Sequence, residues 1–164
     1  MVPLLLGVTL LIQFFHWVEH VAQVYQHWWL GYPIAASSGI LFFLDLEWNH
    51  LIFNSAYLVL LVAIFLFGRK AFSTSQGATN VYLAGVGIQA YHTFEHVIRI
   101  WQYLTANCTP CKGILGWYFD GVYLHFAFNT VVLLFPLIAF VLLGFHRYLS
   151  RLPGLLTVPR AKES

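Results

Sequence analysis

Apolar positions dominate four long stretches of the chain, roughly 3–30, 40–68, 78–104 and 117–146, and polar positions gather between them. Each stretch exceeds the about 20 residues that a helix needs to cross a bilayer, so the pattern predicts four transmembrane helices. The turns between them are rich in helix breakers. The first runs from Gly31 through Pro33 to Gly39, the second from Gly68 through Arg69 and Lys70 to Gly77, and the third from Thr105 to Gly116. The basic residues Arg69, Lys70, Arg147, Arg151, Arg160 and Lys162 all fall on one side of this arrangement. Positive charge marks the cytoplasmic face, which puts both termini inside and the turns at 31–39 and 105–116 outside. Trp28, Trp29, Trp48, Trp101 and Trp117 then lie near the outer boundary, as an aromatic belt does.

The polar positions inside the apolar stretches repeat. Gln13, His16, Glu19 and His20 spell Q-x-x-H-x-x-E-H, and Gln89, His92, Glu95 and His96 spell it again; a further glutamine follows each motif, Gln26 and Gln102. In the second and fourth stretches Asp45, His50 and Asn54 match Asp120, His125 and Asn129 in spacing. The offset is 76 residues from His16 to His92 and 75 from His50 to His125. The fold class expected is therefore an all-α integral membrane protein. It is a four-transmembrane-helix bundle made of two parallel helical-hairpin repeats, related by an axis along the membrane normal. The chain 1–164 reads as one membrane domain, with repeat A at 3–68, repeat B at 78–146 and a cytoplasmic tail at 147–164.

Composition sharpens this picture. The chain is 60% hydrophobic and 9% charged, with a mean hydropathy of +0.74, whereas about a quarter of a soluble domain is charged. The net charge of +2 reflects topology and points to no nucleic-acid partner. The N-terminus lacks a basic region ahead of its apolar run, so the first helix is expected to be retained.

Six histidines and two glutamates inside apolar helices are costly. An acidic group at mid-membrane costs about 2.5–3.5 kcal/mol on insertion scales, and such residues mark functional sites. On a helix turning about 100° per residue, histidines at i and i+4 present two imidazoles from one face, with the glutamate at i+3 beside them. The predicted metal ligands are His16, Glu19, His20, His50, His92, Glu95, His96 and His125, all in the slab from the midplane into the outer half. Gln13, Gln89, Asn54 and Asn129 stand behind them as orienting groups.

Imidazole with carboxylate suits iron, copper or zinc. The spelling H-x-x-E-H is similar to the inverzincin motif, but it occurs here twice and within lipid, so protease activity does not carry over. The expected function is a membrane metalloprotein with a His/Glu centre, di-metal or redox-active, acting alone or as a subunit of a membrane oxidoreductase complex.

Two other chemistries compete. A haem or chlorophyll could take single histidines, although axial ligation needs no adjacent carboxylate. A metal-ion or proton transporter could use the polar stripe, although Val59–Phe67 and Val131–Val141 hold no ionisable group to continue it inward. Partners beyond the lipid bilayer are expected to be other transmembrane subunits or a second copy. The location is a plasma membrane of bacterial type, with the site toward the outer face. Cys108 and Cys111, on the oxidising side, are expected to form a disulfide. Asp45 and Asp120 are read as helix caps, Arg99 as one half of an ion pair, and Pro136 as a kink.

Overall fold

A computed structural model of the chain describes residues 1–41 and 46–149, without the side chains of Leu46 and Leu149. Asp45 and the tail from 150 onward, both assigned roles from the sequence, lie outside the described residues. Helices account for almost all of the regular structure, and no strand occurs among the described residues. In chain order they are α1 (Val2–Val24), α2 (Leu46–Phe72), α3 (Gln76–Ala106), α4 (Gly121–Leu142) and the short α5 (Phe145–Leu149). The first four pack in a ring in which α1 meets α2 and α4, and α3 meets α2 and α4.

Three segments are long and apolar enough to cross a membrane: Val2–Trp29, Glu47–Phe72 and Gly121–Leu142. The helix α3 is longer than any of these but less apolar as a whole, because Gln89, His92, Thr93, Glu95, His96 and Arg99 are all buried along one face of it.

Local sequence explains the ends. Pro3 sits in the first turn of α1, where its missing N–H costs nothing. Beyond Val24 the helix widens into a π-helical turn, Tyr25–Trp29, and the chain breaks away at Gly31 with φ +70°. The basic run expected in a turn instead belongs to α2, which continues through Arg69 and Lys70 to Phe72. Ser75 then caps α3 by accepting a hydrogen bond from Ala78 N. Asp120 caps α4, accepting from Val122 N at 2.8 Å, as the spacing suggested. The helix predicted from 117 begins at Gly121, because residues 115–117 form a separate 3-10 turn.

The bundle has two storeys. Near the α2–α3 turn, Leu6, Tyr57, Leu61, Ile64, Phe72, Tyr82, Val132 and Phe140 make an apolar core. Toward the other end the buried positions turn polar. On α1 the buried stripe runs from Leu6 and Leu10 to Gln13, His16, His20 and Gln23. The outward positions do the reverse, since Leu4, Val8, Leu11, Ile12, Phe14, Phe15 and Val21 are all exposed. Polar inside and apolar outside is the arrangement of a bundle whose solvent is lipid.

A layer of amides divides the storeys. Gln13 Nε2 donates to Asn129 Oδ1 at 3.0 Å, joining α1 to α4, and Gln89 Nε2 donates to Asn54 Oδ1 at 3.0 Å, joining α3 to α2. Asn54 and Asn129 also donate to the carbonyls of His50 and His125, both at 2.9 Å. The amides thus tie the helices together and anchor the turns that carry two of the histidines.

Pro136 lies within α4 and faces Gly85 of α3. A Cβ added at Gly85 would meet Phe135 Cβ at 2.8 Å and Pro136 Cδ at 3.2 Å, whereas one at Gly87 would meet nothing. Gly85→Ala is therefore expected to destabilise the bundle by about 1–3 kcal/mol through overpacking. Gly87→Ala should leave stability unchanged or raise it by about 0.5–1 kcal/mol. Thermal unfolding in detergent measures both.

Candidate metal centre

The storey beneath the two long loops is filled by imidazoles. His16 and His20 come from α1, His50 from α2, His92 and His96 from α3, and His125 from α4. Neighbouring rings stand 4.7 to 5.8 Å apart, from the His16–His20 and His92–His96 pairs at 4.7 Å to His20–His125 at 5.8 Å. The helices bring the six histidines together.

Two kinds of ring contact occur in pairs. His16 stacks on Phe53 and His92 on Phe128. His20 lies parallel to His125, and His96 to His50, with interplanar angles of 14° and 15°. Each phenylalanine follows its α2 or α4 histidine by three residues, a matched spacing visible in the sequence but not used in reading it.

The first triad can hold a metal ion. One ring nitrogen from each of His16, His20 and His50 can be chosen so that all lie within 4.8 Å of one another. His16 Nε2 and His20 Nε2 are 3.2 Å apart. Two nitrogens about 2.05 Å from one tetrahedral ion stand about 3.3 Å apart, so this pair already has the required spacing. His20 Nδ1 lies 2.8 Å from Gln23 Oε1. An Nδ1–H donated there leaves the Nε2 lone pair facing His16, which is how ligating imidazoles are oriented from behind.

Further unpartnered polar atoms lie on α3 and in the amide layer. Both ring nitrogens of His96, Nδ1 of His92 and the amide oxygens of Gln13 and Gln89 are buried without a hydrogen-bond partner. Buried polar groups are nearly always satisfied, so these atoms suit a cation or bound water.

The glutamates do not join the imidazoles. Glu19 Oε1 accepts from Ile40 N at 2.9 Å and Leu41 N at 3.0 Å. Glu95 does the same in the second half, accepting from Ile114 N at 2.8 Å and Leu115 N at 3.0 Å, with Tyr91 donating its hydroxyl as well. These oxygens are turned to the loops that roof the centre, because two peptide N–H groups in succession solvate a buried carboxylate better than a neutral imidazole does.

The glutamines after each motif complete the clamp. Gln26 donates to Gly39 O and accepts from Gly39 N, and Gln102 does both with Gly113. Gly39 and Gly113 have φ of +77° and +68°, and the space a Cβ would take is filled by the Glu19 and Glu95 carboxylates. Only glycine meets both conditions.

Above the imidazoles lies a cavity of about 310 Å³. His50, His96 and His125 form its base, and Glu47, Arg99, Lys112 and Asp120 place charges along its walls. Arg99, expected to pair with an acid, pairs with Glu47 of α2, Nε to Oε2 at 3.2 Å, and not with Glu95. Its Nη1 also lies 2.7 Å from His125 Nε2, a contact the sequence did not reveal. His27 is engaged at the loop end, with Asp120 at 3.1 Å and the Tyr32 carbonyl at 2.7 Å. Cys108 and Cys111 are joined in a disulfide within the loop, and Cys111 N donates to Glu47.

Comparison of the chain with protein-family models, with curated proteins and with solved structures returns no match. The reading of this site therefore rests on its own geometry.

If the carboxylates hold the loops, Glu19→Gln/Glu95→Gln removes both negative charges and, at Glu95, turns one of two accepting oxygens into an N–H donor. The amides of Ile40, Leu41, Ile114 and Leu115 should then exchange hydrogen at least 10-fold faster, since a hydrogen bond to a charged group is worth about 1.5–3 kcal/mol. Exchange mass spectrometry on native and variant protein checks this.

Proposed function

We propose that the protein is an integral membrane metalloprotein. His16, His20 and His50 hold one metal ion beneath the loop cavity, and the ion's remaining coordination position is open to a small ligand entering from there. The observation that carries this reading is the 3.2 Å approach of two imidazole nitrogens, one of them oriented by Gln23, within ligand reach of His50. Structural metal sites are closed by four protein ligands, while catalytic ones keep a position free. A triad of three ligands, with His50 lining the cavity, belongs to the second kind. Three neutral imidazoles suit iron, copper or zinc. With iron or copper the centre serves oxidation and reduction, alone or within a larger membrane complex.

The four-span reading is part of the proposal. The positions of α3 exposed between Leu83 and Val97 are Leu83, Ala84, Gly87, Ala90, Tyr91, Phe94 and Val97, and none is charged. A surface of that kind suits lipid, and the polar side chains that lower the helix's hydropathy are buried. The matched clamps, amide pairs and ring stacks of the two halves support a duplicated hairpin. Arg69 and Lys70 are exposed at the end opposite the cavity, which favours cytoplasmic termini and a centre toward the outer face. The disulfide lies at the cavity end, in keeping with an oxidising side.

The competing chemistries fit less well. A tetrapyrrole needs a flat slot on the face of its axial imidazole, and imidazoles packed 4.7 to 5.8 Å from one another leave no such slot among them. Transport needs a polar route onward, but Leu6, Leu61, Ile64, Tyr82 and Val132 close the storey below.

Two measurements test the proposal. Elemental analysis of protein extracted in mild detergent is expected to find bound iron, copper or zinc in the native chain and none in His20→Leu of equal helicity. A metal-free native protein with the same helicity would mean that the imidazoles are packing. A C-terminal reporter that is active only in the cytoplasm should give signal, and a silent reporter would overturn the assigned orientation.

A further inference from the structure

The counterparts of His16, His20 and His50 are His92, His96 and His125, and the surroundings of the two triads differ at one ion pair. Gln23 follows His20 by three residues in α1, and the same position after His96 in α3 is Arg99. Glu47 precedes His50 by three residues in α2, and the same position before His125 in α4 is Val122. A neutral glutamine and valine in one set of positions are thus replaced by an arginine and a glutamate in the other. Both members of the charged set are buried, and they meet, Nε to Oε2 at 3.2 Å.

Arg99 does not orient His96 as Gln23 orients His20. It reaches across to α4, where its Nη1 lies 2.7 Å from His125 Nε2. His125 Nδ1 lies 2.6 Å from the Gly121 carbonyl, to which only a protonated nitrogen can donate. The remaining lone pair, on Nε2, is therefore the one that accepts from Arg99. A lone pair held by a guanidinium is not free to bind an ion. The ring nitrogens of His92 and His96 lack this restraint, but two imidazoles alone make an incomplete site.

Resting on the metal reading above, we propose that the Arg99–Glu47 pair restricts the centre to a single metal ion. The ion takes the His16–His20–His50 triad, and Arg99 occupies the second triad by holding His125. The pair acts as a stoichiometry-determining device in an otherwise twofold frame, and Glu47 keeps the guanidinium in place while neutralising it.

The test is a zinc titration of detergent-extracted protein stripped with chelator, with bound zinc counted by elemental analysis and helicity followed by circular dichroism. Native protein is expected to take one equivalent. Glu47→Val/Arg99→Gln, which gives each position the residue its counterpart in the other half carries, is expected to take two, with the second lost when His92→Leu is added. In the native background His16→Leu should fall to none, while His92→Leu keeps one; this comparison decides the matter even where the double variant does not fold. Two equivalents in native protein, one in a folded double variant, or equal loss from His16→Leu and His92→Leu would overturn the inference and leave the metal reading standing. No zinc bound by native protein would remove both.

Discussion

Helices that turn apolar side chains outward leave their polar groups nowhere to go but inward, and inside the bundle each must find a partner. An unsatisfied polar group in hydrocarbon costs several kcal/mol, while an interhelical hydrogen bond between side chains returns on average about 0.6 kcal/mol. The Gln13–Asn129 and Gln89–Asn54 pairs therefore contribute little net stability for the restriction they impose. What they supply is placement. They hold α1 to α4 and α3 to α2 at the level where the apolar storey ends, and the histidines above them inherit that registration.

The same constraint shapes the loops. A carboxylate buried among imidazoles and aliphatic side chains needs N–H donors, and the nearest are successive backbone amides of the chain leaving the helix. Glu19 and Glu95 draw the loops down over the bundle, the adjoining glutamines fix Gly39 and Gly113, and the roof of the cavity follows. The H-x-x-E-H motif is thus divided in its work, with imidazoles facing the axis and the carboxylate facing the loop. The centre owes its cavity to the glutamates and its donor atoms to the histidines.

Much of the architecture was legible in one dimension. Periodicity and hydropathy located the long helices, with errors at the α2 and α4 boundaries, where Arg69 and Lys70 stayed helical and residues 115–117 did not. Equal offsets between motifs anticipated that His16, His20, His50, His92, His96 and His125 come together. The loop disulfide and the Asp120 cap were also readable, because they depend on neighbours only a few residues away.

The direction of each polar side chain was not legible. Helical spacing places Glu19 beside His16 and His20 on the same arc, and it cannot say whether the carboxylate turns toward the axis or toward an amide more than twenty residues ahead. Nor could it join Arg99 to Glu47 and His125, residues of three helices brought together only by packing. The sequence by itself determined which helix faces turn outward and which turn into the bundle, since helix periodicity and transfer free energy act locally along the chain. Tertiary structure alone decided which buried groups meet, because in an apolar interior each polar atom turns to its best available partner, and that partner belongs to another helix or loop.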